Sequence, residues 1–89
     1  MRSSTSTEVK ICGITCINQA KKIASLGADA IGVIGVKSSV RFVPEQERRL
    51  IFSELQKYAP DLQRVWVVAD LDNLELASGI KGHGIPTTV

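Results

Sequence analysis

Apolar runs and apolar stripes at helical spacing alternate along this chain. Val9-Lys10-Ile11-Cys12-Gly13-Ile14 is a short β-branched run containing a glycine, which predicts a first strand. Thr15 follows as a candidate N-cap, and Ile17, Ala20, Ala24 and the flanking Ile23 form the stripe of a helix over about Cys16 to Leu26. Gly27 stands where a helix ends in the left-handed conformation. Ala30 to Val36 is nearly all apolar, as expected of a parallel strand covered on both faces. A polar loop from Lys37 to Val43 leads to Pro44, which opens a second helix at its first turn. Glu45 and Glu47 complement the positive end of that helix, and Ile51, Leu55, Tyr58 and Ala59 are its expected buried stripe. Pro60 stops it.

The pattern then repeats. Arg64 to Ala69 carries Val65, Trp66, Val67 and Val68 and predicts a third strand. Asp70 or Asp72 can cap a short third helix with Leu71, Leu74 and Ala77 inward, broken by Gly79, Gly82 and Gly84. Pro86 to Val89 begins a fourth strand. Strands alternating with helices through short connections argue an α/β fold with a parallel sheet. Periodicity alone does not separate a barrel from an open doubly wound sheet. The chain has neither GxGxxG after the first strand nor GxxxxGK[ST], so both common nucleotide-binding readings lose their main support.

Composition narrows the function classes. The 89 residues carry a formal net charge of +2 and few aromatics. Lys21-Lys22 and Arg48-Arg49 read as solvated helix faces, not a nucleic-acid patch. Residues 1–8 are Ser/Thr-rich without an apolar core, so they read as a disordered tail and not a secretory signal; residues 9–89 form the one domain. No apolar run approaches the roughly 20 residues that span a bilayer, and the default location is the cytoplasm. Cys12 and Cys16 are not a CxxC pair, and His83 is the single histidine, so no metal site and no cofactor is implied.

One run is more specific than the pattern around it. Lys10-Ile11-Cys12-Gly13-Ile14-Thr15 resembles the KICGIT opening of the phosphoribosylanthranilate isomerases. Gly27-Ala28-Asp29-Ala30-Ile31-Gly32, then Ser39-x-Arg41-Phe42-Val43 and Pro44-Glu45, follow in the family's order, and Val65-Trp66-Val67-Val68 is a weaker form of its VGVF strand. The resemblance covers about residues 9–89. It implies a partial (β/α)8 TIM barrel: about three βα units and the start of a fourth parallel strand, under half of a barrel of roughly 200–250 residues.

The activity it implies is an Amadori rearrangement in tryptophan biosynthesis, with N-(5-phosphoribosyl)anthranilate as the small-molecule substrate. A general acid opens the furanose ring and a general base removes the C2 proton. Cys12 matches the base, and Arg41 matches the residue that holds the anthranilate carboxylate, for which a guanidinium fork is suited. Lys10 shares a strand face with Cys12, two residues away, and is the third candidate, for substrate binding.

The departures count as well. The family's acid is an aspartate on a later strand, and its phosphate-binding loops follow the last two strands, both beyond Val89. Prolines common in the family are replaced by Lys37 and Val40, the loop before Pro44 is one residue short, and Val68 and Asp70 stand for Phe and Asn. The expectation is an isomerase-like fragment without turnover by itself, active when completed as a homodimer or by a complementing chain. The alternative is a non-catalytic half-barrel used for binding or assembly. A piece of a barrel leaves two open edges, so the isolated chain is expected not to be a monomer.

Overall fold

The structure is a computed structural model that describes residues 8–69 and 71–89. Most of the expected N-terminal tail, and Asp70 as a helix cap, lie outside the described residues. The elements run β1 (Lys10–Cys12), α1 (Ile17–Ser25), β2 (Ala30–Ile34), α2 (Glu45–Tyr58), β3 (Gln63–Val67) and α3 (Asn73–Gly79). The three strands form one parallel sheet in the order β1-β2-β3. Thr88 makes a single parallel bridge to Val65, and Trp66 N–H donates to its carbonyl at 2.9 Å. The expected fourth strand is therefore one bridge long, and it adds in sequence order, as a barrel requires.

Register assigns the faces. Cys12, Gly32 and Val65 are paired neighbours, as are Ile34 and Val67. Ile11, Ile31 and Arg64, with Val33 and Trp66, alternate onto the opposite face. That second face is the core side: Ile31, Val33 and Trp66 are buried with Ile14, Ala20, Val43, Ile51, Phe52 and Leu55 under α1 and α2, which pack on each other. Among the described residues the Cys12 face carries no helix, and Val65, Val67 and Ile34 there are half-buried.

Local chemistry sets the element ends, with some shifts from expectation. The cap of α1 is Cys16, not Thr15; instead the Gln19 side chain reaches back to accept from Thr15 N–H at 3.4 Å. At its other end Gly27, at φ +96°, donates to Ala24 O at 3.1 Å while Ala28 donates to Ile23 O at 3.4 Å. That is a Schellman closure, which needs the left-handed glycine. Pro44 caps α2 with an extended ψ of 158°, one residue before the helix starts. Asp72 caps α3 by accepting from Glu75 N–H at 2.8 Å, a contact of about 1 kcal/mol.

Two inward readings fail for one reason each. Tyr58 is exposed because α2 buries Arg48, Ile51, Phe52 and Leu55, a stripe centred one turn earlier. Leu74 is 82% exposed, since the leucines that pack against the core here are Leu71, just before α3, and Leu76 on it. The Arg48-Arg49 pair is not a solvated face. Arg48 is 2% exposed, and its guanidinium stacks on the Trp66 ring 4.1 Å from the centroid. Arg49 donates to the carbonyls of Ser78, Lys81 and His83 at 2.7–2.8 Å and pairs with Glu45 at 2.9 Å. It thereby satisfies carbonyls at the end of α3 that the helix leaves unpaired.

Candidate functional site

The C-terminal end of the sheet collects two of the three candidate side chains, Cys12 and Arg41. β1 ends at Cys12, and the chain is pinned there because Gly13 and Ile14 both donate to Gly32 O, at 3.0 and 3.2 Å. Gly13 takes φ +87°, a conformation that suits glycine. On the neighbouring strand a Cβ at Gly32 would come within 2.8 Å of Cys12 Sγ. The thiol thus leans across a position that has no side chain, on the sheet face away from the helices. Cys12 is exposed and makes no disulfide.

Arg41 reaches the same place from β2. Beyond Ile34 the chain turns back on itself. Ser39 N–H donates to Val36 O at 2.9 Å and Phe42 N–H to Ser39 O at 3.2 Å. The Ser39 hydroxyl accepts from Arg41 N–H at 3.1 Å, and Val43 N–H returns to Ile34 O at 2.9 Å. This turn lays the Arg41 side chain over Gly13, where a glycine Cβ would meet Arg41 Cδ at 2.8 Å and Nη1 at 2.9 Å. The structure therefore brings Arg41 to the residue that follows Cys12. Lys10 shares the Cys12 face but starts β1, toward the opposite end of the strand, and is exposed.

A thiol and a guanidinium at one strand-end mouth can do limited but definite chemistry. The guanidinium can hold an anionic group through paired donors, and a thiolate can take a proton from a carbon held beside it. Val65 and Val67 give the mouth an apolar floor. Among the described residues, no group of three or more His, Cys, Asp or Glu is placed to hold a metal ion.

A separate cavity of about 420 Å³ opens beside α3, lined by Trp66, Arg48, Gly35 and Lys37 among others, and includes neither Cys12 nor Arg41. Sequence reasoning missed it. The signals available were Gly35, Gly79 and Trp66: a Cβ on either glycine would collide with the indole ring.

No protein-family model matches the chain. It is 44% identical over 86 residues to the N-(5'-phosphoribosyl)anthranilate isomerase of Synechococcus elongatus, covering 89% of this chain and 40% of that one. It superposes with TM-score 0.76 and 32% identity on a phosphoribosyl anthranilate isomerase in complex with reduced 1-(o-carboxyphenylamino)-1-deoxyribulose 5-phosphate, over 82% of this chain and 36% of the other. A structure of monomers generated from the dimeric phosphoribosylanthranilate isomerase of Thermotoga maritima matches with TM-score 0.73 and 29% identity, over 82% and 35% of the two chains. The chain thus spans about two-fifths of the length of the relatives it matches. In sequence and in fold it is homologous to the N-terminal part of the phosphoribosylanthranilate isomerase barrel.

Proposed function

We propose that this chain supplies the base and the carboxylate-holding side of a phosphoribosylanthranilate isomerase site, which becomes complete only when further strands close the barrel. In this reading Cys12, as thiolate, removes the C2 proton during the Amadori rearrangement of N-(5'-phosphoribosyl)anthranilate. Arg41 holds the anthranilate carboxylate through its planar fork. Lys10, lower on the same strand face, contributes positive charge toward the substrate's anionic groups. The observation that carries the reading is the packing of Arg41 over Gly13, which sets the guanidinium beside the strand end that carries Cys12.

The ring-opening acid and the phosphate-binding loops, by resemblance, belong to the barrel strands that these residues do not match. Loss of an acid alone removes a factor on the order of 10²–10⁴. The 89 residues alone therefore bind poorly and do not turn over. The uncovered Cys12 face is where a completing set of strands, from a complementing chain or a second copy, would lie. The reaction needs no metal or cofactor, and the setting is the cytoplasm. No described helix is long and apolar enough to cross a membrane.

Complementation tests the proposal. A tryptophan auxotroph lacking the isomerase should grow when it carries this chain together with the remaining barrel strands of a relative. It should fail with either piece alone, and should fail again with Cys12→Ala. Growth with Cys12→Ala would remove Cys12 from the mechanism.

A further inference from the structure

We propose that the cavity between the β2–α2 loop, the start of α2 and α3 is a binding site for a small organic monoanion with an apolar body, separate from the Cys12–Arg41 mouth. Two of its most deeply buried polar groups are donors short of acceptors. Trp66 is 93% buried (7% exposed), and its Nε1 has no hydrogen-bond partner among the described residues. Arg48 is 2% exposed, yet it makes one long bond, from Nη1 to Gly79 O at 3.4 Å, and has no carboxylate counter-ion among the described residues. A buried guanidinium has five N–H groups to satisfy, and an unpaired buried donor is costly. Burial, then Arg49, lowers the Arg48 pKa from its ordinary value, with Glu45 opposing. The Glu45 carboxylate is engaged by Arg49 at 2.9 Å and so is not the missing acceptor.

The cavity has room for such an acceptor, about 420 Å³. Its lining carries two cations, Arg48 and Lys37, and two carboxylates, of which Glu45 is held by Arg49 and Glu75 is exposed at the start of α3; the apolar walls are Phe42, Leu71, Leu74 and the Trp66 ring. The indole is fixed in place, since Gly35 lies against its Nε1 edge and Gly79 against its far edge, so close that a Cβ on either would overlap the ring. Leu74, 82% exposed at the rim, is a large apolar side chain with little to cover it. A carboxylate on a flat apolar body matches this arrangement: acceptor oxygens toward Arg48 and Lys37, and the body against the apolar walls.

Trp66 is the only tryptophan, so the chain has one indole N–H resonance and one indole fluorophore. The test titrates the full chain with benzoate, with inorganic phosphate and with cyclohexanol, following the indole cross-peak in ¹⁵N-correlated spectra. Benzoate should shift it saturably, with a midpoint on the order of millimolar for so small a probe. Cyclohexanol, which lacks the anion, and phosphate, which lacks the apolar body, should shift it little. Lys37→Gln, at an exposed loop position, should leave the fold intact and weaken benzoate by about fivefold. Arg48→Lys, if it folds, should weaken it further by losing the planar fork. No saturable benzoate shift, an equal response to cyclohexanol, or unchanged affinity in Lys37→Gln would each overturn the proposal.

Discussion

Arg41 lies directly on Gly13, so the residue after Cys12 has no room for a side chain: a Cβ there would sit 2.8 Å from Arg41 Cδ. Gly13 also holds φ +87°. Gly13→Ala therefore meets two penalties, a strained backbone and a displaced guanidinium. We expect a loss of about 1–3 kcal/mol in urea unfolding. In a completed barrel, KM should rise more than kcat falls if, as proposed, Arg41 holds the substrate and Cys12 removes the proton. Unchanged stability and unchanged KM would mean that Arg41 does not rest there.

Arg48 separates packing from charge. Arg48→Ala removes the aliphatic stem and the stacking partner of Trp66, and should destabilise by about 2–4 kcal/mol. Arg48→Met keeps the volume and removes a desolvated charge, so it should lose at most about 1 kcal/mol, or stabilise. Equal losses in the two variants, read from urea midpoints at constant m, would show that the cation and not its stem holds this part of the core.

Two left-handed glycines should respond differently to alanine. At Gly27, φ +96°, no atom lies within 4 Å of a built Cβ, so Gly27→Ala should lose about 1 kcal/mol of conformational energy only. At Gly84, φ +59°, a Cβ would run into the Arg49 carbonyl and backbone. Gly84→Ala should lose more, and should release the 78–84 segment that Arg49 ties to α2. Hydrogen exchange at those amides would show the release; similar exchange in the two variants would argue against the tie.

The open face and edge carry their own consequence. The outer edge of β1 has no strand partner among the described residues, and Ile34, Val65 and Val67 are only half-buried on the face without helices. The chain should self-associate at micromolar concentration, with a melting temperature that rises with concentration. Light scattering at the 9.6 kDa of one chain, with a concentration-independent melt, would contradict this.

The fold was legible where one signal decided each element. Apolar runs gave β2 and β3, and Gly27 and Pro60 marked two helix ends, because strand burial and left-handed caps are local properties. What pairs across the chain was not legible. An arginine pair on an amphipathic helix reads as solvated, yet Arg48 finds Trp66 and Arg49 finds three carbonyls of a distant loop. Tyr58 and Leu74 have suitable spacing but lie where no described element buries them. The Cys12, Lys10 and Arg41 candidates came from one short motif and its followers, and nothing in their spacing foretold that Arg41 would fold back onto Gly13. The indole slot depends on two glycines far apart in sequence, each silent alone.

The central claim is that these residues carry the base for an isomerase site completed by other strands. The most direct measurement is steady-state conversion of N-(5'-phosphoribosyl)anthranilate by a barrel in which residues 9–89 replace the matching segment of the Synechococcus elongatus isomerase. We predict measurable turnover for the chimera, none for the 89-residue chain alone, and a drop on the order of 10²–10⁴ in kcat for Cys12→Ala with the fold intact. A folded chimera whose kcat is unchanged by Cys12→Ala, or full turnover by the 89 residues alone, would contradict it.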